Sequence, residues 1–229
     1  MITTSTLTRA AAVAAAVSGL LYIVIQFIHP ADEVASLTTQ MWVSVHSLSF
    51  AMAILGPIGL TGIYLRQVRE FGLLGLIGYA LFALFFILQS AFVFAEAFIA
   101  PLVAADAPQF AEDFVGLFGR HPAVTDLGPL AALPLVGAAV YVIGAIVFGI
   151  AVLRARVLSR GAGILLIAAA AVTPVAGALL PHTLERMAAI PMGLALIWLG
   201  YSLWSDQRRI AGRTAPTGHG TRLDRTPAV

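Results

Sequence analysis

Glu96 and His46 are the two residues of this chain best suited to act together: a carboxyl late in one long apolar stretch and an imidazole early in another. A histidine beside a glutamate can relay protons, serve as an acid–base pair on a lipid headgroup or an isoprenoid, or hold a divalent metal. Other polar residues fall at comparable positions. Gln26 and His29 lie one helical turn apart where the first apolar stretch ends, and Gln89 shares a helix face with Glu96, about 10 Å away along the axis. Asp126 precedes the fourth stretch, and His182 and Glu185 follow the fifth. Glu96, His46, Gln89, Gln26, His29, Asp126, His182 and Glu185 therefore make up a candidate pocket, with Glu96 and His46 as its central pair. Ionisable groups at membrane depth are costly and point toward partners or water, which is why this pair stands out.

Several chemistries are poorly served by the remaining sequence. The chain has no cysteine, which removes disulfides, thiolate metal sites, iron–sulfur ligation and cysteine nucleophiles together. It has no lysine, so no Schiff base can form. A metal would have to use His46, Glu96 and His182, yet no pair of histidines four residues apart brackets a glutamate. Haem ligation by His46 and His182 would lack a matching pair toward the other membrane face. No P-loop, dinucleotide fingerprint, aspartate-rich diphosphate motif or serine-protease signature is present, so no motif calls for a cofactor.

The elements that must carry these residues are apolar helices. Hydrophobic residues make up 60% of the 229 and charged residues 10%, with a mean hydropathy of +0.95, far from the balance of a soluble domain. A hydrocarbon core roughly 30 Å thick needs about 20 apolar residues per helix. Six stretches qualify: 10–29, 41–65, 72–100, 128–153, 161–181 and 187–204. They lack period-2 alternation, and an open sheet cannot satisfy its backbone in lipid, so the fold class is all-α, a six-helix transmembrane bundle forming one domain over 1–206. The first stretch begins after Arg9 but is too long for a secretory signal and has no small-residue cleavage site, so it reads as a retained span.

Arginine placement sets the expected orientation. Arg9, Arg66, Arg69, Arg154, Arg156, Arg160, Arg208, Arg209, Arg213, Arg222 and Arg225 all fall on one side of the alternating spans. The other side carries only Arg120 and Arg186, together with most of the acidic residues. The positive-inside rule then puts both termini in the cytoplasm and the polar pocket toward the outer face. The pI of about 9.4 reflects arginines placed to meet anionic lipid headgroups, and nucleic acid is not an expected partner.

Between these spans, 101–127 reads as an outer loop. In it Phe110, Phe114, Leu117 and Phe118 recur at helical spacing opposite Glu112 and Asp113, which describes an amphipathic helix on the membrane surface. The glycine- and proline-containing tail 207–229 buries too little to fold alone and reads as disordered. Gly56, Gly59 and Gly62, then Gly72, Gly75 and Gly78, read as close-packing positions, through which copies of the chain could also associate. Pro57, Pro134 and Pro174 lie within spans, where a missing amide bends a helix.

In plan the chain resembles the small six-helix integral membrane proteins of actinobacteria and related bacteria, on HPADEVASLTTQMWVSVH (29–46), EAFIAPLVAADAP (96–108) and LLPHTLERMAAIPMGLALIWLGYSLW (179–204). Such proteins carry no established activity, so the resemblance supports the topology alone; the expected location is a bacterial cytoplasmic membrane. The arginine-only basic set and abundant alanine also fit a high-GC bacterial genome. Three functions suit these features: a component binding a lipid or small apolar ligand in the outer pocket, a membrane enzyme using Glu96 and His46, or a small transporter. Membrane lipids are partners under all three. Reporter fusions after Val229 and within 101–127 are expected to report cytoplasmic and outer locations respectively; the reverse pattern would overturn the orientation.

Overall fold

The computed structural model describes residues 2–118 and 123–214, the side chains of residues 182, 183, 213 and 214 excepted. Six helices are long and apolar enough to cross a membrane: α1 (Thr4–Ile28), α3 (Gln40–Arg66), α4 (Val68–Phe98), α7 (Leu133–Ala155), α8 (Arg160–Leu179) and α10 (Ile190–Thr214). Short helices α2 (Val34–Leu37), α5 (Ala100–Val103), α6 (Pro108–Val115) and α9 (His182–Glu185) join them, and no strand occurs among the described residues.

Local chemistry explains the boundaries. The Thr3 hydroxyl accepts from the Thr6 amide at 3.2 Å and the Thr39 hydroxyl from the Trp42 amide at 3.2 Å, so each supplies an acceptor for an amide left unpaired by the first turn of α1 or α3. Pro134 falls in the first turn of α7 rather than kinking a span, because a 3-10 turn over Gly128–Ala132 precedes the helix and a missing amide is harmless at that point. Gly72 adopts φ +56° and offsets the start of α4 from the rest; it is a turn residue, not the packing position its spacing suggests. At its other end the chain departs from the expected disorder: α10 continues to Thr214, and only 215–229 fall outside the described residues.

The six long helices form a closed ring in chain order, each antiparallel to its neighbours, with α10 returning to pack on α1. Six alternating spans place Thr4 and the end of α10 at the same end of the bundle, called here the terminal end. Arg66 of α3 pairs with Asp206 of α10 there at 2.5 Å, and the Arg9 guanidinium lies over the Trp204 ring. The ring interior over the terminal and central parts is filled by Leu60, Phe82, Phe86, Phe148, Leu166 and Leu199, all fully buried. Outward faces are apolar, with Leu73, Leu135, Leu179 and Tyr201 at least two-thirds exposed, as lipid-facing residues are.

Helix contacts are made backbone to backbone. A side-chain carbon on Gly78 of α4 would lie 2.5 Å from the Phe148 amide nitrogen of α7, and one on Gly144 of α7 would lie 2.5 Å from the Phe82 nitrogen of α4. Gly193 of α10 meets the Gly19 carbonyl of α1 in the same way, and Gly59 and Gly62 of α3 meet Ala15 and Ala11 of α1. Most of the glycine faces that could have joined separate copies are thus covered within one chain. Small residues allow this closeness where lipid supplies no hydrophobic drive between helices.

At the end opposite the termini a cap is added. Leu37 and Trp42 pack in one cluster with Phe92, Ala100, Ala111, Phe114 and Val115, so α6 docks on α2, α5 and Phe92 of α4 rather than lying only on the membrane surface. Asp113 is correspondingly not on a solvent face: it accepts from the Thr125 and Val124 amides at 2.6 and 3.1 Å and from Gln109 at 3.2 Å. These bonds, those from Thr125 foremost, hold its carboxyl below the usual range.

The open and closed halves of α7 should respond oppositely to the same added methyl group. Gly144→Ala is expected to destabilise by about 1–3 kcal/mol, because its new carbon meets backbone. Gly137, around which nothing lies within 4 Å, should accept alanine with no loss and up to about 1 kcal/mol of gain from helix propensity. Thermal unfolding in detergent checks both, and equal effects would refute this account of the packing.

Candidate functional site

Away from the terminal end the ring opens into a cavity of about 520 Å³. Gln26 and His29 reach it from α1 and its end, His46 and Ser49 from α3, Gln89 and Glu96 from α4, and Glu185 and Arg186 from the segment before α10. Six of the eight residues named from sequence thus share one space. Asp126 is not among its lining residues; its carboxylate accepts from the Gly128 amide at 2.9 Å and shapes the turn before α7. The His182 side chain lies outside the described ones.

Trp42 organises the polar centre. Its indole N–H donates to the Glu96 backbone carbonyl at 2.8 Å, one of the last four carbonyls of α4 that have no partner within the helix. Its own carbonyl lies 2.9 Å from His46 Nδ1 one turn on, and the two rings stack with centroids 3.9 Å apart. A carbonyl can only accept, so Nδ1 carries a proton and donates, and Nε2 is left pointing at Glu96. Nε2 stands 3.7 Å from Glu96 Oε2, within ion-pair range but beyond hydrogen-bond length. His46 and Glu96 are both buried.

The neighbouring wall is also polar. The His29 ring meets the His46 ring edge-on at 5.0 Å, and its Nδ1 faces the Pro30 carbonyl at 2.7 Å and Asp32 Oδ1 at 3.7 Å. Asp32 forms a salt bridge with Arg186, joining the loop after α1 to the turn before α10. Asp32, Arg186 and Trp42 were not singled out by sequence. Signals for the first two existed: Asp32 follows His29 by one turn in HPAD, and Arg186 is one of two arginines breaking the one-sided arginine pattern. Among the described residues, no three histidine, aspartate or glutamate side chains converge as a metal site would require.

A second chamber of about 270 Å³ adjoins the first, sharing Tyr22, Gln89, Phe92, Phe118 and Thr173 as lining. Its remaining walls are almost wholly apolar: Phe85 and Leu88 of α4, Leu133, Pro134, Gly137, Ala138 and Val142 of α7, and Pro174 of α8, with Tyr141 the exception. It exists because α7 and α8 diverge. They touch closely where Gly149 meets Gly163 and are bridged by Tyr141 and Thr173 at 3.2 Å, but farther from the terminal end a side-chain carbon added at Gly137 would meet nothing within 4 Å. The result is a polar chamber continuous with an apolar one.

No protein-family model matches this chain, and no curated protein or solved structure shows significant similarity to it. Its site is therefore read from its own geometry. Trp42→Phe keeps the ring stack but strips the Glu96 carbonyl of its donor, and is expected to cost about 1–2 kcal/mol. Thermal unfolding measures this, and an unchanged midpoint would show that the indole bond does not hold α3 to α4.

Proposed function

We propose that this chain is a multi-pass protein of a bacterial cytoplasmic membrane, with its terminal end in the cytoplasm, that binds an amphiphilic small molecule or lipid from the outer side. The head group occupies the chamber around His46 and Glu96, and the apolar part lies in the chamber between α4, α7 and α8. The observation that carries this reading is the junction of a space with several polar groups on its wall and one that is almost wholly apolar, together about the size of ordinary ligand sites. Packing supports a single mouth: the ring is filled from Leu60 and Phe148 through to the terminal end, which favours binding over transport in this conformation.

A second reading draws on one contact. His46 Nε2 and Glu96 Oε2, 3.7 Å apart on the wall of one cavity, make an acid–base pair to which one substrate group lying beside them can bond, so a membrane enzyme acting on the bound amphiphile would use the same two residues.

Gly137→Trp tests the binding reading without touching the polar centre, since the new side chain enters the apolar chamber. Mass spectrometry of molecules retained through purification in mild detergent is expected to show a bound amphiphile on the native chain and its loss, by about tenfold or more, on Gly137→Trp at unchanged thermal stability. The same retained molecules on both proteins would overturn the proposal.

A further inference from the structure

The polar chamber holds one carboxyl whose surroundings narrow its ligand. Of its acidic lining residues, Asp32 is engaged by Arg186. Glu96 is different from Asp32: among the described residues its carboxyl makes no hydrogen bond, and it faces His46 Nε2 at 3.7 Å. It is 7% exposed, so water outside the cavity contributes little to satisfying it.

The geometry around it asks for a donor. His46 cannot turn its Nδ1 proton inward, because that proton is held by the Trp42 carbonyl and the ring is stacked on the indole. An acceptor nitrogen and a carboxyl oxygen therefore face each other across 3.7 Å, too far for a direct bond, and lining the same cavity. One group carrying two N–H bonds can donate to both. An ammonium does so and supplies a counter-charge to the Glu96 carboxyl, in a cavity that Tyr22, Phe92 and Phe118 also line. A hydroxyl offers a single donor and no charge. A carboxylate or phosphate head would bring only acceptors to a place that already presents two.

Resting on the amphiphile-binding reading, we infer that the ligand is an amphiphilic primary amine whose ammonium group bridges His46 Nε2 and Glu96 while its apolar chain fills the chamber beside Gly137. The amine can belong to a free alkylamine or to an aminophospholipid headgroup.

The test uses the full chain in phosphatidylcholine nanodiscs, titrated with octylamine, octanol and octanoate against empty discs. Octylamine is expected to bind at least about tenfold more tightly than octanol, with octanoate weakest, and Glu96→Gln should weaken octylamine by about tenfold while changing octanol by less than about twofold. Adding phosphatidylethanolamine to the discs separates the two sources: competition with octylamine assigns the site to a lipid headgroup, and its absence to a free amine. Should Glu96→Gln fail to fold, His46→Phe, which keeps a stacking ring but removes Nε2, is expected to give the same selective loss. Octanol or octanoate binding as well as octylamine would overturn the amine while leaving amphiphile binding intact. Binding of none of the three would overturn both.

Discussion

Backbone-to-backbone contact at glycine is the constraint on which the rest of this bundle depends. Where Gly78 and Gly144 notch α4 into α7, and Gly19 and Gly193 notch α1 into α10, neighbouring helices are drawn so close that no side chain fits between them. Lipid offers no hydrophobic reason for helices to associate, and shape complementarity at small residues supplies the contact instead. The same rule makes the cavity. A side-chain carbon added at Gly137 would meet nothing within 4 Å, and the ring that is tight toward the terminal end spreads at the other. One residue type thus has two consequences, set by whether a partner backbone lies across from it.

The open half is kept from collapsing by polar ties rather than by apolar filling. Trp42 joins α3 to the end of α4, Asp32 and Arg186 join the loop after α1 to the turn before α10, and Tyr141 with Thr173 bridges α7 and α8. The Asp32–Arg186 and Tyr141–Thr173 ties lie on the cavity wall, and Trp42 stands behind it against His46, so the groups that hold the mouth in shape also give it its chemistry. His46 is the clearest case: the stack and hydrogen bond that fix its ring also choose which nitrogen faces the interior.

Much of this was legible in the sequence for reasons that are physical and local. Apolar length located the six long helices, and a carboxyl and an imidazole at membrane depth were conspicuous because they are costly there. What could not be read were outcomes of ring closure. Asp32 and Arg186 are separated by 154 positions and meet only because α10 returns to α1. Pro134 looked like a kink because nothing local announces that a 3-10 turn precedes it and moves the helix start to Leu133. Asp113 looked solvent-facing because its partners are the amides of a returning loop, which leave no trace in residue type. Residues 207–214 carry a polar composition, yet they extend a helix already nucleated by the packed span that begins at Ile190, where adding a turn is cheap.

The connections differ as sharply as the two ends. A single residue, Gln67, separates α3 from α4, and four separate α7 from α8, whereas the stretch from α4 to α7 runs from Ile99 to Ala132. An α-helix turns by about 100° per residue, so one residue inserted after Gly72, where α4 runs unbroken to its packing positions, would rotate Gly78 away from Phe148. The long stretch has no such lever arm on the ring. Changes in chain length are therefore absorbed at the mouth and refused at the terminal end, which leaves this architecture free to vary what covers its cavity while the barrel of helices beneath stays in register.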